Sequence, residues 1–473
     1  MGSKTPRFAL FEISALIIKD QIQVSFTYNQ HMRHQQRIHG WVSECKRVLE
    51  EDMLRLGDFA PEPTLSDYPL LPITYDGLNS MVKNTFPKVG LESWTQVEDV
   101  YPCSPVQEGI LLSQLRDPKG YLFHVIFEVR HSQGSVVDTN KLRKAWSMVV
   151  SRHPVLRSVF IDSNYKGGSF DQVVVKALDD EVIELQCPDS DALGTLGEVQ
   201  LRKTNAERST KLPHQVTLCK TSSGRVLFKI EMNHAVIDGG SVDLLLRDLA
   251  LAYNDQLPAG TGPLFSDYVK YIKGQAQEET AAHWVQYLSG ARPCHLSFSS
   301  ATGASHQLGE RMINFKRFPE LQKFCEENSV TLANLTLCAW AIVLQNCTGS
   351  DDVCFGYPSA GRDSPVPGIQ DAVGIFINML CCRVKFAPGQ TLLDIAKKVQ
   401  DDFIKNVPYQ HCSLAQIQHE LGWHGETLFN TTLSIQNRSA HEGAGKQVLE
   451  FEVQKAHDPT EVGSYNCECT DTS

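Results

Sequence analysis

Two side chains of complementary chemistry stand four residues apart in Arg225–Tyr253, RVLFKIEMNHAVIDGGSVDLLLRDLALAY. His234 offers an imidazole, the side chain that titrates near neutral pH and serves most readily as a general acid or base. Asp238 offers a carboxylate, and Gly239 and Gly240 follow it, a break that lets backbone approach backbone closely. This spacing can hold one imidazole rigidly. Taken alone, His234 also fits a satisfied core histidine, and Asp238 fits a turn or cap.

The elements that must position these residues are legible on either side. Val226, Phe228, Ile230 and Met232 share one parity, so a strand would bury them on one face and deliver His234 at its end. Ser241 is a candidate N-cap for a helix that turns Val242, Leu244, Leu245, Leu249 and Ala252 inward.

A chain of 473 residues implies two or more domains. Hydrophobic residues at 42% and charged residues at 21% describe a globular protein. A net charge of −11 without a Lys/Arg run argues against nucleic-acid binding. No run of eighteen apolar residues predicts a membrane span, and the N-terminus reads neither as a signal peptide nor as a myristoylation site. The fourteen cysteines follow no metal-site or disulfide spacing and read as reduced thiols of a cytoplasmic protein. No P-loop, dinucleotide fingerprint or fixed-period repeat is present.

Along the chain, 9–18 and 21–28 read as strands and 37–56 as an amphipathic helix, a set too small to bury a core alone. From 58 to 92, Pro61, Pro63, Pro69 and Pro72 suppress regular structure, and LSDYPLLPITYDGL reads as a connection packed onto the next domain. Beyond it the pattern predicts helices from Val106, over 138–153, 190–208, 278–288, 318–328 and 331–347. Strands are expected over 121–130 and 171–175, in a hairpin turning at Ser222–Gly224, in DVCFGYPSAGRD, and as a strand pair in AVGIFINMLCCRVKF.

The string MNHAVIDGGS resembles the HHxxxDG signature of condensation domains in nonribosomal peptide synthetases. His234 matches the second His, Asp238 matches the Asp, and Asn233 replaces the first His. Further blocks resemble the family's other motifs in family order: VEDVYPCSPVQEGILLSQL, RHPVLRSVF, FSDYVKYI, AVGIFINMLCCRVKF, YQHCSLAQIQHEL and LFNTTLSIQN. The resemblance covers about 94–459. It implies an α/β (α+β) fold of two chloramphenicol-acetyltransferase-like lobes set in a V, with a tunnel between them. By the same resemblance, 93–275 form the N-lobe and 276–473 an incomplete C-lobe. SFTYNQHMRH and the helix after it resemble the closing segment of an epimerization domain, so 1–57 are expected to be the tail of such a domain without epimerase activity. Residues 58–92 are then the linker.

The resemblance implies amide formation between a carrier-bound thioester donor and a carrier-bound aminoacyl acceptor, with ester formation or cyclising release as variants. His234 would manage a proton, and Gly239 would present its backbone N–H to the reacting carbonyl. Asp238, paired with Arg362, would support the loop, and Asn233 would assist. No cofactor is expected to be bound covalently. Substrates would arrive on 4′-phosphopantetheine arms of upstream and downstream carrier proteins, beside adenylation domains of one assembly line, with no nucleic-acid or membrane partner. The upstream resemblance implies a D-configured donor. The polar ending EVGSYNCECTDTS matches no family element, which makes an inactive fragment that at most binds carrier domains the alternative expectation. An acyl-CoA-dependent transferase sharing HxxxD is a third reading, opposed by the missing DFGWG motif.

Overall fold

The computed structural model describes residues 9–19, 21–58, 61–176, 182–199, 212–296, 317–423, 427–435 and 448–458. The chain forms two compact units, Met1–Pro63 and Thr64–Ser473. In the first, β1 (Phe11–Ile18) and β2 (Gln21–Tyr28) make an antiparallel hairpin followed by α1 (Gln35–Asp58). Ile13, Leu16, Ile17, Ile22, Trp41 and Met53 stay exposed. Apolar periodicity produced these elements, but they enclose no core of their own.

The second unit opens with the proline-punctuated segment. It is more ordered than its prolines predict: α2 (Tyr75–Ser80) leads through Met81–Thr85 into the turn Phe86–Val89. Tyr68, Leu71, Leu78, Met81, Phe86 and Leu91 are buried against Val100, Val159, Ile161 and Val173. The prolines prevent long helices, yet the apolar residues between them have a sheet to cover, and tertiary burial orders the segment.

The first lobe runs through β3 (Val97–Pro102), α3 (Pro105–Arg116), β4 (Leu122–His131), α4 (Thr139–Arg152), β5 (Ser158–Asp162), β6 (Phe170–Val175), β7 (Ile183–Cys187), α5 (Ala192–Glu198), β8 (His214–Thr221), β9 (Val226–Asn233), α6 (Gly239–Tyr253) and α7 (Phe265–Lys273). One three-stranded sheet has the order β3-β6-β5. Of the helix expected over 190–208, Ala192–Glu198 is observed, and 200–208 lie outside the described residues.

The second lobe contains α8 (Gln277–Leu288), α9 (Phe318–Asn328), α10 (Leu332–Thr348), β10 (Asp352–Ser359), β11 (Asn378–Lys385), α11 (Leu392–Asn406) and α12 (Leu414–Glu420) around a separate core that includes Trp284, Ala341, Phe355 and Leu380. The strand pair expected in AVGIFINMLCCRVKF is one strand. Asn378–Lys385 pairs antiparallel with β10, whereas 372–377 run as an irregular segment whose backbone groups serve the first lobe. A final strand, β12 (Leu449–His457), lies outside the expected elements, although Leu449, Phe451 and Val453 alternate with polar residues there. It crosses back over the 275/276 boundary and pairs antiparallel with β4, completing a five-stranded sheet of order β12-β4-β9-β8-β7.

Among the described residues no single helix is long and apolar enough to cross a membrane; α9 and α10 reach that composition only as a pair bent by 104°. No cysteine among them forms a disulfide, and most are buried.

Candidate functional site

Strand β9 lies inside the five-stranded sheet, flanked by β4 and β8. Val226, Phe228, Ile230 and Met232 enter the main core, as their parity predicts. The opposite parity is buried as well: Leu227 packs with Ala192 and Leu196 of α5, and Lys229 and Glu231 form an ion pair at 3.1 Å. With both faces covered, the strand cannot slip register without driving apolar side chains against polar ones. The residue at its end is therefore fixed in space.

That end is gripped from α3. The Asn233 side-chain oxygen accepts the Ala235 N–H at 2.8 Å, closing a local turn. Its amide also exchanges two hydrogen bonds with Gln114 of α3, at 3.1 and 3.2 Å. Earlier on the same helix, buried Gln107 donates through Nε2 to the Ala235 carbonyl and to Gln172 Oε1, both at 2.7 Å, while its own oxygen accepts the Ser104 N–H. Asn233 thus fills the place of a histidine with a hydrogen-bonded amide.

His234 is held on three sides. Its N–H donates to the Tyr121 carbonyl at 2.9 Å, and its ring lies 4.5 Å from the Phe123 ring at 33°. Nδ1 is 3.1 Å from the Ile237 carbonyl oxygen. A carbonyl only accepts, so Nδ1 carries the proton and Nε2 is the nitrogen left for chemistry. Nε2 faces the Asp458 carboxylate at 3.1 Å.

Asp238, rather than Ser241, is the N-cap of α6, with extended backbone (φ −108°, ψ 172°). Its Oδ1 accepts the Ser241 N–H at 2.9 Å and the Ser241 hydroxyl at 2.8 Å, and its Oδ2 accepts the Phe376 N–H from the second lobe at 2.9 Å. A β-region residue with a short acceptor side chain suits this position, where helix N–H groups lack partners. Ser241, one turn in, also has its hydroxyl oxygen 2.8 Å from the Gly374 carbonyl, which shares that one hydrogen with Asp238, and receives a bond from Arg362 Nη2 at 2.7 Å.

Arg362 lies 3.5 Å from Asp238 Oδ1, so the structure brings these two residues together. Its Nη1 donates to the Ile369 and Ala372 carbonyls at 2.6 and 2.9 Å, and its guanidinium sits 4.3 Å from the Phe376 ring centre. Gly361 makes this approach feasible: at φ +65° an added Cβ would lie 1.9 Å from the Phe376 carbonyl oxygen. Gly239 is the first residue of α6, and its N–H has no acceptor within the helix. A Cβ there meets nothing within 4 Å.

The segment that carries Phe376 is anchored again behind the site. The Tyr268 hydroxyl donates to the Phe376 carbonyl at 3.2 Å, receives Asn378 Nδ2 at 3.1 Å and lies 3.3 Å from His411 Nδ1. Burial pushes the His411 imidazole down to about 4 and the Tyr268 phenol up. A cavity of about 310 Å³ opens along α3, lined by Leu111, Gln114, Leu115, Phe160, Ile161 and Phe170 among others. Through Gln114 its wall is joined directly to Asn233. Among the described residues no group of three or more His, Cys, Asp or Glu is arranged to hold a metal ion.

Sequence reasoning missed Gln107, Gln114 and Asp458, and read Ser241 only as a helix cap. A capping signature, Ser104 followed by Gln107, is readable, but it signals only a helix start. That Gln107 also reaches Ala235, 128 positions away, is decided by packing.

The family model described as "Condensation domain" matches residues 97–471. The chain is 65% identical over 463 residues to Nonribosomal peptide synthetase 1 of Aspergillus fumigatus, and 59% identical over 466 residues to Nonribosomal peptide synthetase nlsA of Emericella nidulans. Each alignment takes in 98% of this chain but only 7% and 8% of the relative's length. Among solved structures, the X-domain from teicoplanin biosynthesis matches with a TM-score of 0.60 at 19% identity, covering 75% of this chain and 82% of that one. The starter condensation domain of rhizomide synthetase matches at 0.57 and 20%, covering 71% and 78%. At such identities the likeness concerns the fold, and it agrees with the expected two-lobed α/β arrangement.

Proposed function

From the premise that this chain belongs to the condensation-domain family, with fungal nonribosomal peptide synthetases as its relatives, we propose that its second unit joins two carrier-bound substrates through an amide bond. The donor is a peptidyl or aminoacyl thioester and the acceptor an aminoacyl group, each tethered through a phosphopantetheine arm. Carrier domains on both sides and adenylation domains of one cytoplasmic assembly line are the partners this reading requires.

The acceptor nitrogen attacks the thioester carbonyl carbon. A C–N bond forms, the C–S bond breaks and its electron pair leaves with sulfur. The acceptor enters as an ammonium and ends as an amide N–H, so two protons leave nitrogen: one goes to the departing sulfur and one to solvent. A thioester is already activated, so positioning and proton handling are the main tasks. The observation that carries this reading is the placement of His234, whose Nδ1 lies against the Ile237 carbonyl while Nε2 faces the margin of the sheet at Asp458. In this reading Gly239, at the positive end of α6, offers its N–H to the carbonyl oxygen as charge develops. Asp238, Arg362 and Asn233 position the loop and touch no substrate.

The test is product formation by the purified chain with two loaded carrier domains. Product that requires both carriers and disappears in His234→Ala supports the reading. A folded wild-type chain that binds carriers and yields nothing overturns it in favour of a non-catalytic fragment. The same assay checks the donor: a D-configured donor should outpace its L-diastereomer, and equal rates would remove the inference drawn from the upstream segment.

A further inference from the structure

The group opposite the reacting nitrogen of His234 comes from the far end of the chain, and the sheet register puts it there. In the five-stranded sheet Phe123 of β4 is opposite Met232 of β9, and His124 is opposite His457 of β12. The end of β12 therefore reaches the same sheet margin as the end of β9. Asp458, the next residue, places Oδ1 3.1 Å from His234 Nε2. The two groups differ in setting: the His234 side chain is 16% exposed and that of Asp458 is 52% exposed. With Nδ1 committed to Ile237, a carboxylate at Nε2 is attractive only when a proton lies between them. It occupies the direction from which anything reacting with Nε2 must come.

We propose that Asp458 is the residue that receives the α-ammonium of the aminoacyl acceptor and holds it at His234. The inference rests on the condensation reading above and names the recognition element of that site. An ammonium has three donors and no acceptor. It can bridge Asp458 Oδ1 and the deprotonated His234 Nε2 together, in place of the direct contact between them. His234 Nε2 takes one proton and leaves the free amine, while Asp458 stabilises the resulting imidazolium. The amine lone pair then attacks the thioester carbon; on collapse the second nitrogen proton passes to the departing sulfur, and His234 returns the first to water. Asp458 is regenerated unchanged. Asp238, fully engaged with Ser241, Phe376 and Arg362, is not available for this task.

The experiment measures binding, so that it reads Asp458 even if turnover fails. Two unreactive pantetheine amides are titrated into the full chain by calorimetry, one bearing an α-amino group and the other identical but lacking it. A charge-assisted hydrogen bond is worth about 1.5–3 kcal/mol, so wild type should favour the amino compound roughly 10- to 150-fold. Asp458→Asn should abolish the preference while leaving affinity for the desamino compound and the melting temperature unchanged, and Asp458→Glu should restore part of it. A wild type that binds both compounds equally overturns the proposal without any variant. So does an Asp458→Asn protein that discriminates as wild type does. If wild type discriminates but forms no product with loaded carriers, the condensation reading fails and ammonium recognition at Asp458 stands.

Discussion

The two sides of the histidine loop are built differently. On the α6 side, buried Asp238 accepts from Ser241 twice and from Phe376, and Arg362 approaches over a ring. Every lone pair used there is answered by a donor of fixed position, and the donors come from both lobes. On the β12 side, His234 Nε2 meets one half-exposed carboxylate. A fully satisfied buried cluster is costly to disturb, because removing one partner leaves the others desolvated and unpaired. A single contact at the margin yields easily. The rigid side fixes where the imidazole points, and the yielding side is where a substrate can enter.

The contrast breaks most severely at Asp238. Removing one member of such a buried charged cluster costs roughly 3–5 kcal/mol, against about 5–15 for a whole domain. Asp238→Ala should lower the melting temperature and abolish turnover together. Arg362→Ala should destabilise less, because the guanidinium is 3.5 Å from the carboxylate and spends most of its bonds on Ile369, Ala372 and Ser241. The double variant should be less than additive, and strict additivity in denaturant titrations would show that Asp238 and Arg362 are not partners. His234→Ala should do the opposite of Asp238→Ala, keeping the melting profile while losing about 10²–10⁴-fold in rate. Retained rate would remove His234 from the chemistry.

A third prediction uses pH to ask how firmly the segment behind the rigid side is locked. His411 is held down to about 4 by burial, below its ordinary 6.5. A folded-state value below the unfolded one means stability present above pH 6.5 and lost as pH falls toward 4, by up to about 3 kcal/mol. His411→Gln should flatten that acid limb of the melting temperature. An unchanged limb would assign the acid loss to other groups. The smallest effect is expected at Asn233: Asn233→Ala removes the Ala235 cap and the Gln114 pair and should cost about 1–2 kcal/mol, with Gln114→Ala costing no more when added to it.

The first unit sharpens the lesson about pattern and burial. Strands β1 and β2 fall where their periodicity places them, yet Leu16 and Ile17 are exposed, whereas the alternating residues of β9 are buried on both faces. Period 2 identifies a strand in each case, but whether a second layer covers it depends on chain elsewhere. The irregular run 372–377 shows the converse. Its continuous apolar run predicts a strand, and its backbone is instead spent on Asp238, Ser241 and Tyr268, partners more than 100 residues away in sequence.

Short-range chemistry determined the local parts: a strand ending at His234, a carboxylate four residues on, a helix opening at the glycines, and an Arg after the Gly361 turn. These are written in side-chain period, cap chemistry and the conformational freedom of glycine, all of which act within a few residues. Long-range packing settled the rest: that Ser241 links Asp238 to Arg362, that Gln107 and Gln114 hold the loop from α3, and that β12 crosses from the second lobe to set Asp458 against His234. Those outcomes depend on sheet order and register. Pairing β12 with β4 gains hydrogen bonds and burial that no stretch of nine residues can specify on its own.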